Sequence, residues 1–247
     1  MLQNSSIRSN YIVIQIDLQV HLDLGSEGGR EGGRSAVQDT LSHSANLAMW
    51  RSREGLSSAC KLCGRRQTLL HVLNNCPKAL NLHRYNERHD AVLEVISKFM
   101  AEILPDGYQL LADLPQSQPY IFPPHIATTD QRPDIVVWSN TTQEVWVVEL
   151  TVCFETGYEE ARIRKTDRYT DLMKQIAETS LDGTLVTLEL GSRGYLSLPS
   201  FHEIKQQLLE CSKKQWEAFL INVAQTTIRG SHKIWVTRNW TDSDSQP

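Results

Sequence analysis

The 247-residue sequence contains no apolar run long enough to span a bilayer. Its first ten residues are mostly polar, and Asp17, His21 and Asp23 interrupt the stretch that follows, so no secretory h-region is present. Cysteine is scarce, with five residues too unevenly placed for a disulfide scaffold. Three of them cluster with a histidine, which favours metal binding in a reducing compartment. An excess of positive charge is also missing, because the net charge is −4. That average argues against indiscriminate polyanion binding, but it hides a patch. Residues 51–88 carry Arg51, Arg53, Lys61, Arg65, Arg66, Lys78, Arg84 and Arg88 against Glu54 and Glu87, a net of six positive charges. Phosphate contact asks for such a segment. The glycine-rich residues 25–34 lack the Gly-Lys-Ser/Thr ending of a phosphate loop and read as a flexible linker.

What the chain does have centres on residues 132–169. After Pro133-Asp134 comes the apolar run Ile135-Val136-Val137-Trp138, then the polar Ser139-Asn140-Thr141-Thr142, then a second strand-like run over 144–152. The pattern predicts a hairpin with Asp134 at the opening of one strand and Glu149 late in the next. Two carboxylates among apolar neighbours repel unless a proton or a cation neutralises them, and a hard cation such as Mg²⁺ suits oxygen ligands. Residues 157–180 then carry Ala161, Lys165, Tyr169, Leu172 and Ile176 along one helical face. A cation on a sheet-facing stripe is most easily accepted beside carboxylates or a phosphate. The same residues allow a plainer arrangement, in which Asp134 caps a turn and Glu149 simply pairs with Lys165.

A second motif is Cys60-x2-Cys63-x7-His71-x4-Cys76, with Gly64 after the first pair to permit a tight turn. Four such ligands complete a tetrahedral, structural Zn²⁺ site. Elsewhere, residues 11–24 alternate apolar and polar like a half-buried strand, and 36–54 read as a short helix. Pro77 suits a helix start, followed by a helical pattern over 78–104. Strands are expected at 108–112 and 184–190, with Asp182-Gly183 as a turn. A long helix over 201–227, ended by Gly230, and a final strand over 233–240 complete the pattern.

Pro133-Asp134, Glu149-Leu150-Thr151 and Lys165-x-x-Arg168-Tyr169 together resemble the restriction-like endonuclease domain of site-specific non-LTR retrotransposon proteins, within the PD-(D/E)xK nuclease class. Thr151 stands at the usual lysine position of that class, and Lys165 matches the lysine that this branch carries on the following helix. The branch shows Lys-x-x-Lys-Tyr, and Arg168 occupies the place of the second lysine. Arg88-His89-Asp90 is similar to the Arg-His-Asp/Asn motif near the start of the family's endonuclease, and the Cys60–Cys76 motif resembles the CCHC finger that precedes it.

The resemblance implies an α/β fold, a restriction-endonuclease-like mixed sheet flanked by helices and preceded by a small CCHC zinc knuckle. It implies a Mg²⁺-dependent endonuclease that nicks target DNA in the nucleus to prime reverse transcription. Asp134, Glu149 and the Leu150 carbonyl would hold Mg²⁺. Lys165 would stabilise the developing charge, and Tyr169 would position Lys165 or contact a phosphate. Arg65, Arg66, Arg88, His89 and Arg168 are the expected nucleic-acid contacts. Element RNA and a reverse transcriptase on another chain are the further partners, with no membrane. The expected division is 1–35, an unassigned strand and linker; 36–79, the basic segment with the knuckle; 80–240, the endonuclease; and 241–247, a disordered tail. The rival expectation is a catalytically inactive zinc-dependent nucleic-acid-binding module from a decayed or co-opted element, and a third is an interaction domain that uses zinc only to fold.

Overall fold

A computed structural model describes residues 42–115, 119–207 and 211–241. The alternating stretch 11–24, the linker, and the tail beyond Thr241 lie outside those residues. The chain forms helix α1 (Ser44–Trp50), a loop bearing the cysteine–histidine motif, α2 (Pro77–Asn81) and α3 (Arg84–Ile103). Strands β1 (Tyr108–Ala112), β2 (Ile135–Ser139) and β3 (Glu144–Cys153) follow, then α4 (Tyr158–Ala177), β4 (Asp182–Gly191), α5 (Leu198–Gln207) and α6 (Lys213–Val236).

The four strands make one mixed sheet in the order β1-β2-β3-β4. β1, β2 and β3 form an antiparallel meander, and β4 runs parallel to β3. Helices cover both faces, which is why β2 is apolar at successive positions instead of alternating. Ile135 and Val137 pack with Val92, Ile96 and Met100 of α3 and with Phe219 and Val223 of α6. Val136 and Trp138 face Tyr169, Leu172 and Ile176 of α4. The expected mixed sheet flanked by helices is present, as is the hairpin, with Ile135 opposite Val148.

Four local expectations are corrected. The pattern over 78–104 is two helices, because His83 turns into left-handed backbone at φ 54° between α2 and α3. Asp182-Gly183 opens β4 instead of turning. A Cβ on Gly183 would lie 2.6 Å from Ile176 Cγ2, so the glycine serves close helix–sheet packing. The helix expected over 201–227 is divided into α5 and α6, with Ser212 in extended backbone and closing a capping box with Gln215. Gly230 does not end α6, and the strand expected at 233–240 is instead the last turn of that helix and the segment after it.

Gly230 lies mid-helix because α3 crosses there: a Cβ would meet Arg88 Cγ at 2.7 Å and Arg88 Cα at 3.3 Å. Gly230→Ala should therefore destabilise the chain by about 1–3 kcal/mol, despite alanine's better helix propensity. Denaturant unfolding checks this, and a neutral or stabilising result would show that the crossing has slack.

Candidate metal centre and carboxylate cleft

The loop before α2 brings Cys60, Cys63, His71 and Cys76 together, with one ligand atom from each lying within 4.8 Å of all the others. The first pair sits on a tight turn. Cys60 N–H donates to Arg65 O at 2.6 Å, Gly64 N–H donates to Cys60 O at 2.8 Å, and Gly64 adopts φ 75°. Cys60, Cys76 and His71 are buried, and Cys63 Sγ lies 3.3 Å from His71 Nε2. Burial opposes ionisation of Cys60, yet N–H groups of Cys63 and Leu62 outweigh it and lower its pKa. Burial, with the charge of Cys60, raises the Cys76 thiol to about 11 in the metal-free cluster. Burial, then Arg65, lowers His71 and favours the neutral imidazole that can ligate. Such spacing and chemistry fit a metal ion such as zinc, with all four tetrahedral positions taken by protein.

The carboxylate site forms where β3 outruns β2. Pairing with β2 ends at Val148, while pairing with β4 continues to Cys153. Asp134 fills part of the vacated edge. Its Oδ2 accepts the Leu150 N–H at 2.7 Å, and its own N–H donates to Glu149 Oε2 at 3.2 Å. A strand residue's N–H and C=O point to the same side, so the Leu150 carbonyl faces this edge too. Glu149, with its side chain 2% exposed, projects to the α4 face and receives the Lys165 ammonium on Oε1. Burial, then Asp134, raises the Glu149 pKa against the pull of Lys165. Glu149 thus contacts both the Asp134 backbone and Lys165, and the plainer Glu149–Lys165 ion pair is present.

Tyr169 is fully buried and donates its hydroxyl to Arg132 O at 3.2 Å. It can position its neighbours but cannot reach a phosphate. His89 Nε2 lies 3.4 Å from Asp134 Oδ2, and its Nδ1 lies 3.1 Å from Asp90 Oδ1. Burial lowers His89, but the hydrogen bonds to Asp134 and Asp90 win and push it up to about 10.

Arg88 departs from expectation. It is 2% exposed, donating to Ser231 Oγ at 2.9 Å and Val152 O at 3.4 Å. It clamps α3 to α6 and β3 and is not placed for a phosphate. Arg65 and Arg66 are exposed, as is Arg168, whose guanidinium lies 5.5 Å from the centre of the Tyr169 ring.

Beside the carboxylates opens a cleft of roughly 340 Å³, lined by Tyr85, Asn86, His89, Leu150, Thr151, Val152, Arg164 and Lys165. Tyr85, Asn86 and Arg164 were not among the expected site residues. Arg164 directly precedes Lys165 of the inward stripe of α4, and that position on the stripe's flank was the available signal. Another unforeseen group, Glu189, is buried, and it accepts from Arg162 Nη2 at 2.8 Å, Ser200 Oγ at 2.8 Å and Ser197 Oγ at 3.0 Å. Its partners are internal, which makes it part of the scaffold.

A scan against models of protein families finds no match, and a search of curated proteins finds no similar chain.

Purified reduced and without chelators, the chain should carry one Zn²⁺, and Cys63→Ser should lose it together with order around residues 56–80. Metal analysis and proteolysis check both, and zinc-free protein from such a preparation would remove the site.

Proposed function

We propose that this chain is a metal-dependent DNA endonuclease fragment of a non-LTR retrotransposon protein, which nicks target DNA by phosphodiester hydrolysis to prime reverse transcription. The observation that carries the reading is the convergence of Asp134, Glu149 and Lys165 at the open end of β3, beside a cleft. The element order is a helix, a three-stranded meander, a helix and a parallel strand. It supports a restriction-endonuclease-like core. Zinc-binding potential next to a basic segment supports the match to the finger that precedes such nucleases.

Asp134, Glu149 and the Leu150 carbonyl are the oxygen ligands that would hold Mg²⁺, and they suit a hard cation. Held there, such an ion would supply Lewis-acid polarisation of a phosphate and a water of lowered pKa. Lys165 lines the cleft and contacts Glu149, so its ammonium can stabilise charge that develops on the phosphate oxygens. Tyr169 fixes the Arg132–Asp134 loop through the Arg132 carbonyl. His89 holds Asp134 from the α3 side. Exposed Arg164 and Arg168 flank Lys165 on α4 and supply phosphate contacts, while Arg65 and Arg66 extend the basic surface. Nuclear action on DNA, with element RNA and a separate reverse transcriptase as partners, belongs to the same reading.

A second reading is a zinc-dependent nucleic-acid-binding module without activity. It draws on the engagement of both Glu149 oxygens, by Lys165 and by the Asp134 N–H, and on Thr151 at the position where the wider class has lysine.

Lys165→Ala separates the two. Removing a charge-stabilising group costs about 100- to 1,000-fold in rate. Nicking of supercoiled plasmid with Mg²⁺ should fall by that amount while duplex binding is largely kept. Glu149, already raised in pKa, can take up a proton when its partner is lost, so the variant should fold. A parent chain that never nicks with Mg²⁺ or Mn²⁺ establishes the second reading, and an equally fast Lys165→Ala chain refutes the role of the lysine. Replacing Arg65 and Arg66 together with Ala should weaken binding to all sequences alike and reduce the salt slope by up to about two phosphates' worth. An unchanged slope, measured by duplex titration across salt concentrations, would place the nucleic-acid path elsewhere.

A further inference from the structure

The knuckle is not an independent bead on the chain. Leu69, Val72 and Leu73, from the stretch that delivers His71, pack with Ile234 of α6, and Tyr85, Phe154 and Trp235 cover that cluster. Phe154 directly follows β3. The turn over His71–Asn75 places Asn74 so that its Nδ2 donates to Val152 O at 3.2 Å. Val152 stands three residues beyond Glu149 on the same strand and lines the cleft. Tyr85, also on the cleft wall, accepts the Cys76 N–H at 3.0 Å and donates to Val72 O at 3.0 Å. One hydroxyl therefore reads the backbone of a metal ligand and of the residue after another.

These contacts join two places. On one side, four ligand atoms lie within 4.8 Å of one another, and a cation held by them would lock the geometry of residues 60–76. On the other, residues 149–153 of β3 have lost their β2 partner and keep only β4 along one edge. The free edge is held by Asp134 at Leu150, and by Asn74 and Arg88 at Val152. We propose that Asn74 is a positioning residue which ties the metal-bound knuckle to the end of β3, with Tyr85 anchoring the same knuckle to α3, so that zinc occupancy sets the order of the cleft wall beside Asp134 and Glu149. The inference rests on zinc binding to the knuckle and does not require that the chain be catalytic.

The test is hydrogen exchange on the full chain, read alongside metal content. Stripping zinc with a chelator should speed amide exchange at residues 150–154 together with 69–76, by at least about tenfold, and leave the 135–148 hairpin unchanged. Asn74→Ala should retain one zinc per chain and an unaltered thiolate spectrum in the cobalt(II)-substituted protein. Its exchange at 150–154 should nevertheless rise about fivefold, the loss expected for one backbone-anchoring hydrogen bond. Asn74→Gln, which keeps the carboxamide donor, should restore most of the protection, and Tyr85→Phe should loosen 72–76 with zinc retained. If chelation unfolds the entire chain, the two Asn74 variants decide the matter. The proposal is overturned if residues 60–76 loosen on zinc removal with 150–154 unmoved, or if Asn74→Ala exchanges like the parent. Protein that binds no zinc overturns it through the metal analysis instead, and failure to nick DNA leaves the exchange result standing.

Discussion

A carboxylate with almost no access to water sets the terms for the rest of this molecule. Glu149 follows the apolar run Val145–Val148 within β3, with Asp134 beside it, and both cannot carry unpaired charge there. Lys165 answers one charge from α4, and His89 answers the other from α3. A helix on each face of the sheet thus supplies one of the counter-charges. The same solution leaves a cation and two carboxylates at one end of a cleft, which is the arrangement the proposed hydrolysis uses.

The cleft exists because strand lengths are unequal. β2 stops at the level of Val148 and β3 continues, so five residues of β3 present one edge without a strand partner. Unpaired strand edges need covering or a function. Asp134 and Arg88 take up part of this one, and the cysteine–histidine loop takes up another part through Asn74. The same stretch, Leu150–Val152, lines the cleft together with Arg164 and Lys165. Cysteine–histidine loop, buried arginine and carboxylate pair thus form one connected unit.

Features fixed by short-range patterns were legible in the sequence. The two apolar runs and polar turn of the hairpin, the compact ligand spacing and the α4 stripe of Ala161, Lys165 and Tyr169 each need only neighbouring residues to be read. Features decided by distant partners were not. Arg88 resembles a phosphate contact until Ser231, far along the chain, takes its guanidinium. Gly230 resembles a helix stop until Arg88 is seen to occupy the space of its missing side chain. Gly183 resembles a turn residue for the same reason, with Ile176 as the hidden neighbour. The link from Asn74 to Val152 leaves no periodic or compositional trace.

The proposed function requires that Asp134 and Glu149 form a divalent-cation site distinct from the cysteine–histidine cluster. Binding of Mn²⁺, a paramagnetic substitute for Mg²⁺, to the zinc-loaded chain tests it most directly through the electron paramagnetic resonance signal of the free ion. The account predicts one bound Mn²⁺ per chain in the parent, lost in Asp134→Asn while the zinc content stays at one. Equal Mn²⁺ binding in parent and variant, or none in either, would contradict it and leave Glu149 and Lys165 as a buried ion pair only.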